Sequence, residues 1–295
     1  MDHVFIVNPV SGSGRYTRVL TIIQDYFSDR EDSFEIRFTE YVGHATEIAA
    51  EYTSNGTVLY SVGGDGTSHE IVNGLCEGVS LGIIPVGSGN DFWRMIDYKE
   101  SLEKIVVDSI EGKNVLIDVG VVNGVRYLNC ANIGFDALVN KGANEFRFKW
   151  FPRSFVYVLF ALKCLLRKDT ISFSFEVNGE VVEHTALLAS FMNGQYYGGG
   201  FRSAPLASMT DGLIDVCIVE DVSRRRIISL LPKYFKGAHL DLDIVSFMKV
   251  SSFRISSASD LVFGLDGEIS FASVIDVEVL PKAVSLRVPN KILMK

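Results

Sequence analysis

The sequence predicts an α/β plus all-β protein: an N-terminal doubly wound βαβ domain followed by a C-terminal antiparallel, β-sandwich-like domain. Three observations carry this prediction. Up to about residue 120, short apolar runs alternate with helix-period patterns, the mark of a parallel sheet flanked by helices. Beyond Lys113 the apolar period falls to two, and Asn123-Gly124 and Asn178-Gly179 supply the dipeptides that best suit two-residue hairpins. The length of 295 residues is also near the limit at which one core divides into two. The expected domains are residues 1–120 and 121–285, with a tail at about 286–295 returning to the first.

In order along the first domain, residues 3–7 read as a strand. Val19, Ile22, Ile23, Tyr26 and Phe27 then recur at helical spacing. Strands follow at 34–38, 58–62 and 81–85, separated by helical patterns at 45–52 and from about 67. In the second domain Ile171, Phe173, Phe175 and Val177 alternate with polar residues, as a half-buried strand requires. Further strands are expected at 214–219, 253–255, 261–263 and 277–288, and helical patterns interrupt at 153–167 and 224–235.

Composition narrows the function classes. Apolar residues at 47% and charged residues at 22% give material for a sizeable core and exclude general disorder. Lys+Arg at 28 against Asp+Glu at 36 gives a net charge of −8, which repels a phosphate backbone, so no nucleic-acid partner is expected. The four cysteines are far apart without a Cys-x-x-Cys pair, which fits a reducing cytoplasm and no zinc site. The N-terminus has no basic segment or small-residue cleavage site, so no secretion signal is expected. The apolar run at 155–166 is too short for the ~20 residues of a membrane span.

Three glycine-rich turns directly follow strands: Asn8-Pro9-Val10-Ser11-Gly12-Ser13-Gly14-Arg15, Gly63-Gly64-Asp65-Gly66-Thr67, and Pro85-Val86-Gly87-Ser88-Gly89-Asn90-Asp91-Phe92. Loops leaving the carboxyl ends of parallel strands converge on one edge of the sheet. Glycines there let backbone N–H groups approach an anion, and the next helix N-termini favour negative charge, so a polyphosphate is the natural guest. Any one such loop is equally well a tight turn; the three together point to phosphate. The Walker pattern is absent, and Gly12-Ser13-Gly14 lacks the third glycine of the dinucleotide fingerprint.

On these residues the chain resembles the diacylglycerol kinase catalytic-domain superfamily, and within it the bacterial soluble lipid kinases. The resemblance continues at residues 129–136 (Asn-Cys-Ala-Asn-Ile-Gly-Phe-Asp), Gly198-Gly199-Gly200, Pro205, Asp211-Gly212 and Asp266-Gly267-Glu268. Gly-Gly-Asp-Gly-Thr also belongs to the related NAD kinases and sphingosine kinases, whereas Asn90-Asp91 and Asp266-Gly267-Glu268 narrow the likeness towards lipid kinases. One departure is His69, where the family usually has Asn.

The resemblance implies a kinase with Mg²⁺ as cofactor that transfers the γ-phosphoryl group of ATP to a hydroxyl of diacylglycerol or a related lipid. Asn8, Pro9, Ser11, Gly12, Thr39, Gly63, Gly64, Asp65, Gly66, Thr67 and Ser88 would hold ATP. Asp65 would act through the nucleotide's Mg²⁺, and Glu268, with Asp266 beside it, would take the proton from the lipid hydroxyl. Asp118 would anchor a structural charge network, and Ser208, Asp211 and Leu213 would hold a second Mg²⁺, although a plain turn at 209–212 explains the same residues. Without the resemblance, Asp266-Gly267-Glu268 reads first as a hairpin turn.

The implied setting is the cytoplasm, peripheral at the inner membrane surface, and a homodimer is compatible with the sequence. Arg147, Lys149, Trp150, Arg153, Arg167 and Lys168 flank an apolar stretch at 151–166, which suits either an anionic interface or a core helix with solvated ends. Arg224-Arg225-Arg226 before 227–231 invites the same two readings. The competing functions are an NAD kinase-like or other soluble small-molecule kinase, and a nucleotide-binding protein without turnover.

Overall fold

The computed structural model describes residues 2–134 and 170–292. The chain divides into two compact units, Met1–Val119 with Pro281–Lys295, and Gly120–Leu280. The predicted helix at 153–167, and the apolar stretch with its basic flanks, lie outside the described residues.

The first unit runs β1 (Asp2–Val7), α1 (Tyr16–Phe27), β2 (Phe34–Phe38), α2 (His44–Ala50), β3 (Thr57–Gly63), α3 (Asp65–Gly74), β4 (Ser80–Pro85), α4 (Asp91–Ile96) and α5 (Leu102–Ile110), and β5 (Lys113–Val122) leads into the second. Its strands are parallel in the order β2-β1-β3-β4. Every residue of β3 is buried, as expected for a strand with covered faces. Val19, Ile23 and Phe27 of α1, four residues apart, fall on one face and pack with Phe5, Val7, Tyr60 and the α5 residues Val106 and Ile110. Two helices, α4 and α5, extend the predicted pattern; at 6 and 9 residues they are too short to carry a clear period.

The second unit contains β6 (Val125–Tyr127), β7 (Cys130–Gly134), β8 (Ile171–Val177), β9 (Glu180–Met192), β10 (Ile214–Glu220), α6 (Arg224–Lys236), β11 (Val245–Val250), β12 (Ser252–Leu265) and most of β13 (Glu268–Val288). Pairing here is antiparallel, along β11-β10-β9-β7-β12-β13. The long strands β9 and β12 each pair with β8 along one stretch and β7 along another. A register shift between Ser256 and Leu261 interrupts β12 against β13, and such irregularities bend a strand. The inward faces enclose a core that includes Phe173, Phe175, Phe191, Phe253, Ile255 and Phe263. This is the antiparallel, sandwich-like domain expected.

Beyond Leu280, β13 belongs to the first unit, where Ser285, Leu286 and Arg287 pair in parallel with Ser80, Leu81 and Gly82 of β4. Asp118, buried in β5, accepts the Lys282 N–H at 2.8 Å and so fixes this returning segment. Among the described residues no helix is long and apolar enough to cross a membrane. In α6, Ile227 packs against Leu187 and Cys217 while Arg224, Arg225 and Arg226 are exposed.

Candidate active site

All three glycine turns leave the carboxyl ends of neighbouring parallel strands, β1, β3 and β4. The first and third meet at Gly12. Its φ is +65°, and a Cβ there would lie 1.8 Å from the Val86 carbonyl oxygen, so both conformation and space demand glycine. The second and third meet at Gly87, where a Cβ would lie 2.5 Å from Gly64 Cα. Hydrogen bonds tie the loops further. The Gly87 N–H donates to Gly63 O at 3.0 Å, and Asn8 Nδ2 donates to Thr67 Oγ1 at 3.1 Å.

Arg15 adds a bond the sequence reading did not assign: its Nη2 donates to Gly87 O at 2.7 Å and its Nε to Gly12 O at 3.3 Å. Asn90, in the left-handed region at φ 52°, donates through Nδ2 to Gly87 O at 2.9 Å. A basic residue directly after Gly14 and an Asn directly after Gly89 were the available signals, but their partners are set only by the fold.

Asp65 begins α3 and reaches the third loop. Its Oδ2 accepts the Asp91 N–H at 3.1 Å and its Oδ1 the Phe92 N–H at 3.2 Å, so it caps α4 and positions that helix N-terminus. Thr39 follows β2, donates its N–H to Val7 O at 2.9 Å, and is buried beside the end of β1. Ser88 is exposed on the third loop, and Pro9 and Ser11 are half-buried on the first. His69 is buried in α3. The first unit thus gathers the expected Asn8, Pro9, Ser11, Gly12, Thr39, Gly63, Gly64, Asp65, Gly66, Thr67 and Ser88 at one sheet edge.

In the second unit Asp266 and Gly267 form the two-residue turn between β12 and β13, with φ of 48° and 99° and Leu265 paired to Glu268. The Asp266 carboxylate points back into the unit. It accepts the N–H groups of Leu128 (2.7 Å, Oδ2), Asn129 (2.9 Å, Oδ1) and Cys130 (3.0 Å, Oδ1). Its own N–H donates to Cys130 O at 2.9 Å. Glu268 is exposed at the first position of β13.

The remaining expected cation ligands lie at Ser208, Asp211 and Leu213. Ser208 Oγ accepts the Thr210 N–H at 3.3 Å, and Asp211 Oδ1 accepts the Leu213 N–H at 3.1 Å. Asp211 Oδ2 accepts from Lys249 Nζ at 2.8 Å. Among the described residues no group of three or more His, Cys, Asp and Glu side chains is arranged to hold a metal ion.

Comparison with known proteins decides the lineage. Residues 2–122 match the family described as "Diacylglycerol kinase catalytic domain", and residues 129–288 match "YegS C-terminal NAD kinase beta sandwich-like domain". The chain belongs to the diacylglycerol kinase family. It is 31% identical over 255 residues to a diacylglycerol kinase of Mycobacterium tuberculosis, covering 83% of this chain and 82% of that one. It is also 29% identical over 267 residues to the Staphylococcus saprophyticus diacylglycerol kinase, covering 89% and 87%. A crystal structure from Bacillus anthracis str. Sterne shares the fold with a TM-score of 0.84 at 24% identity, over 99% of this chain and 96% of that one.

This family member is therefore a lipid kinase, a phosphotransferase. Phosphoryl transfer asks a protein mainly to position the reactants and neutralise charge. The first unit offers three mutually packed glycine loops at the carboxyl edge of its sheet, and the second an exposed carboxylate at Glu268.

Proposed function

We propose that this lipid kinase transfers the γ-phosphoryl group of ATP to a hydroxyl of diacylglycerol or a related lipid. The observation that carries the reading is the interlocking of three glycine loops through Gly12–Val86 and Gly64–Gly87 at the carboxyl edge of one parallel sheet. Such an edge presents backbone N–H groups and helix N-termini to a polyphosphate. The first two loops hold the phosphates, and Ser88 and Thr39 donate hydroxyl hydrogen bonds.

Mg²⁺ bound with the nucleotide supplies charge neutralisation of the transferring group. Asp65 fits as its protein partner: it is an oxygen donor on the second loop, oriented by two amides of the third. Glu268 removes the proton from the lipid hydroxyl as the new O–P bond forms and ADP departs. Asp266 acts through the hairpin, holding Glu268 at the first position of β13. The lipid is met at the inner surface of the membrane.

A radiolabelled ATP assay over a panel of lipids in mixed micelles tests the reading. Label in diacylglycerol or a related hydroxyl lipid is expected. Label only in NAD or another soluble acceptor would favour the soluble-substrate kinase. Thermal stabilisation by Mg-ATP with no transfer to any acceptor would favour binding without turnover.

A further inference from the structure

The loop that the family resemblance assigns to a second divalent cation already contains a positive charge belonging to the chain. Lys249 in β11 stands opposite Asp215 of β10 in the strand register. Its Nζ lies 2.8 Å from Asp211 Oδ2, 2.9 Å from Leu206 O and 3.1 Å from Asp215 Oδ2. Two carboxylates and a carbonyl thus converge on one ammonium, which has three N–H groups to give.

Asp215 is wholly buried, with Lys249 Nζ 3.1 Å from its Oδ2. A buried carboxylate needs a compensating charge, and Lys249 is the ionic partner that the structure provides. Asp211 Oδ2 and Asp215 Oδ2 both face this ammonium, while Ser208 Oγ accepts the Thr210 N–H and Asp211 Oδ1 the Leu213 N–H. Mg²⁺ requires about six oxygens at ~2.1 Å, and a divalent ion close to an ammonium is repelled by it. As built, the donor set does not fit a divalent cation.

We propose that the Lys249 ammonium is the resident cation of this loop, taking the place of a second Mg²⁺ and tying the loop to β10 and β11 without metal. The proposal also defines what the loop would accept if the ammonium were removed: a hard divalent cation or a small alkylammonium ion.

Mn²⁺ binding by electron paramagnetic resonance and melting temperature, both on the full chain without nucleotide or lipid, test this. The outcome is therefore separate from that of the kinase assay. In the wild type, no Mn²⁺ site that depends on Asp211 is expected, and melting should be the same in Mg²⁺ and in KCl of equal ionic strength. Lys249→Ala should melt roughly 6 °C lower in KCl or worse. Millimolar Mn²⁺ or methylammonium should restore much of that loss, and Mn²⁺ should bind at least about tenfold more tightly than to the wild type. A wild-type Mn²⁺ site abolished by Asp211→Asn would overturn the proposal, with no need for the Lys249 variant to fold. A folded Lys249→Ala that neither binds Mn²⁺ nor responds to methylammonium would overturn it as well.

Discussion

Asp266 and Glu268 flank one glycine, yet their surroundings give them different work. Three amide donors converge on the Asp266 carboxylate, whereas Glu268 is exposed. Hydrogen bonds to a charged group contribute more than neutral ones, so Asp266→Ala should lower stability to urea by about 3 kcal/mol. Asp266→Asn tolerates the same left-handed backbone and keeps one acceptor oxygen, and should lose about half as much. Equal stability of the wild type and both variants would show that the amides do not depend on the carboxylate. The turn was legible in Asp266-Gly267, but the amides that Asp266 holds belong to residues far away in the chain. The register that sets Lys249 against Asp215 was hidden for the same reason.

The three glycine loops behave as one element because each fills space the others would need. Gly87 has an ordinary φ, so its requirement is steric: a Cβ would meet Gly64 Cα at 2.5 Å and Asn90 Oδ1 at 2.7 Å. Gly87→Ala should part the second and third loops and weaken ATP binding by about tenfold or more, measured by calorimetry. Unchanged affinity would separate the loop packing from the nucleotide. Here the sequence was informative, since strand, glycine turn and helix recur in order and a parallel sheet sends such turns to one edge. β13 was legible only from residue 277 on. Its first half is irregularly paired where β12 shifts register, and Pro281 and the left-handed Lys282 interrupt its second. Local periodicity does not show that one strand serves antiparallel partners in one unit and a parallel partner in the other.

For the whole chain, the first unit contributes a definite pH dependence of stability. His3, in β1, is buried, stacks on Tyr60 at 5.7 Å between ring centroids, and has Nδ1 3.0 Å from the Tyr60 hydroxyl. Burial, reinforced by the Arg287 charge, lowers its pKa to about 4 from the usual 6.5. Between these values the unfolded chain holds a proton that the folded chain does not. Stability from this group is therefore complete above about pH 6.5 and lost as pH falls towards about 4, roughly 3 kcal/mol in all. His3→Gln should flatten that part of the stability profile relative to wild type; parallel profiles would contradict it. The family and the α/β plus antiparallel fold class were legible because they rest on local motifs and periodicity, while charge compensation at buried sites required the fold. Phosphoryl transfer in Glu268→Gln, with ATP binding measured on the same sample, tests most directly whether the exposed carboxylate of β13 serves as the base. Turnover to lipid should fall at least about a hundredfold while ATP affinity and melting temperature stay near wild type. Wild-type turnover in that variant would contradict that role.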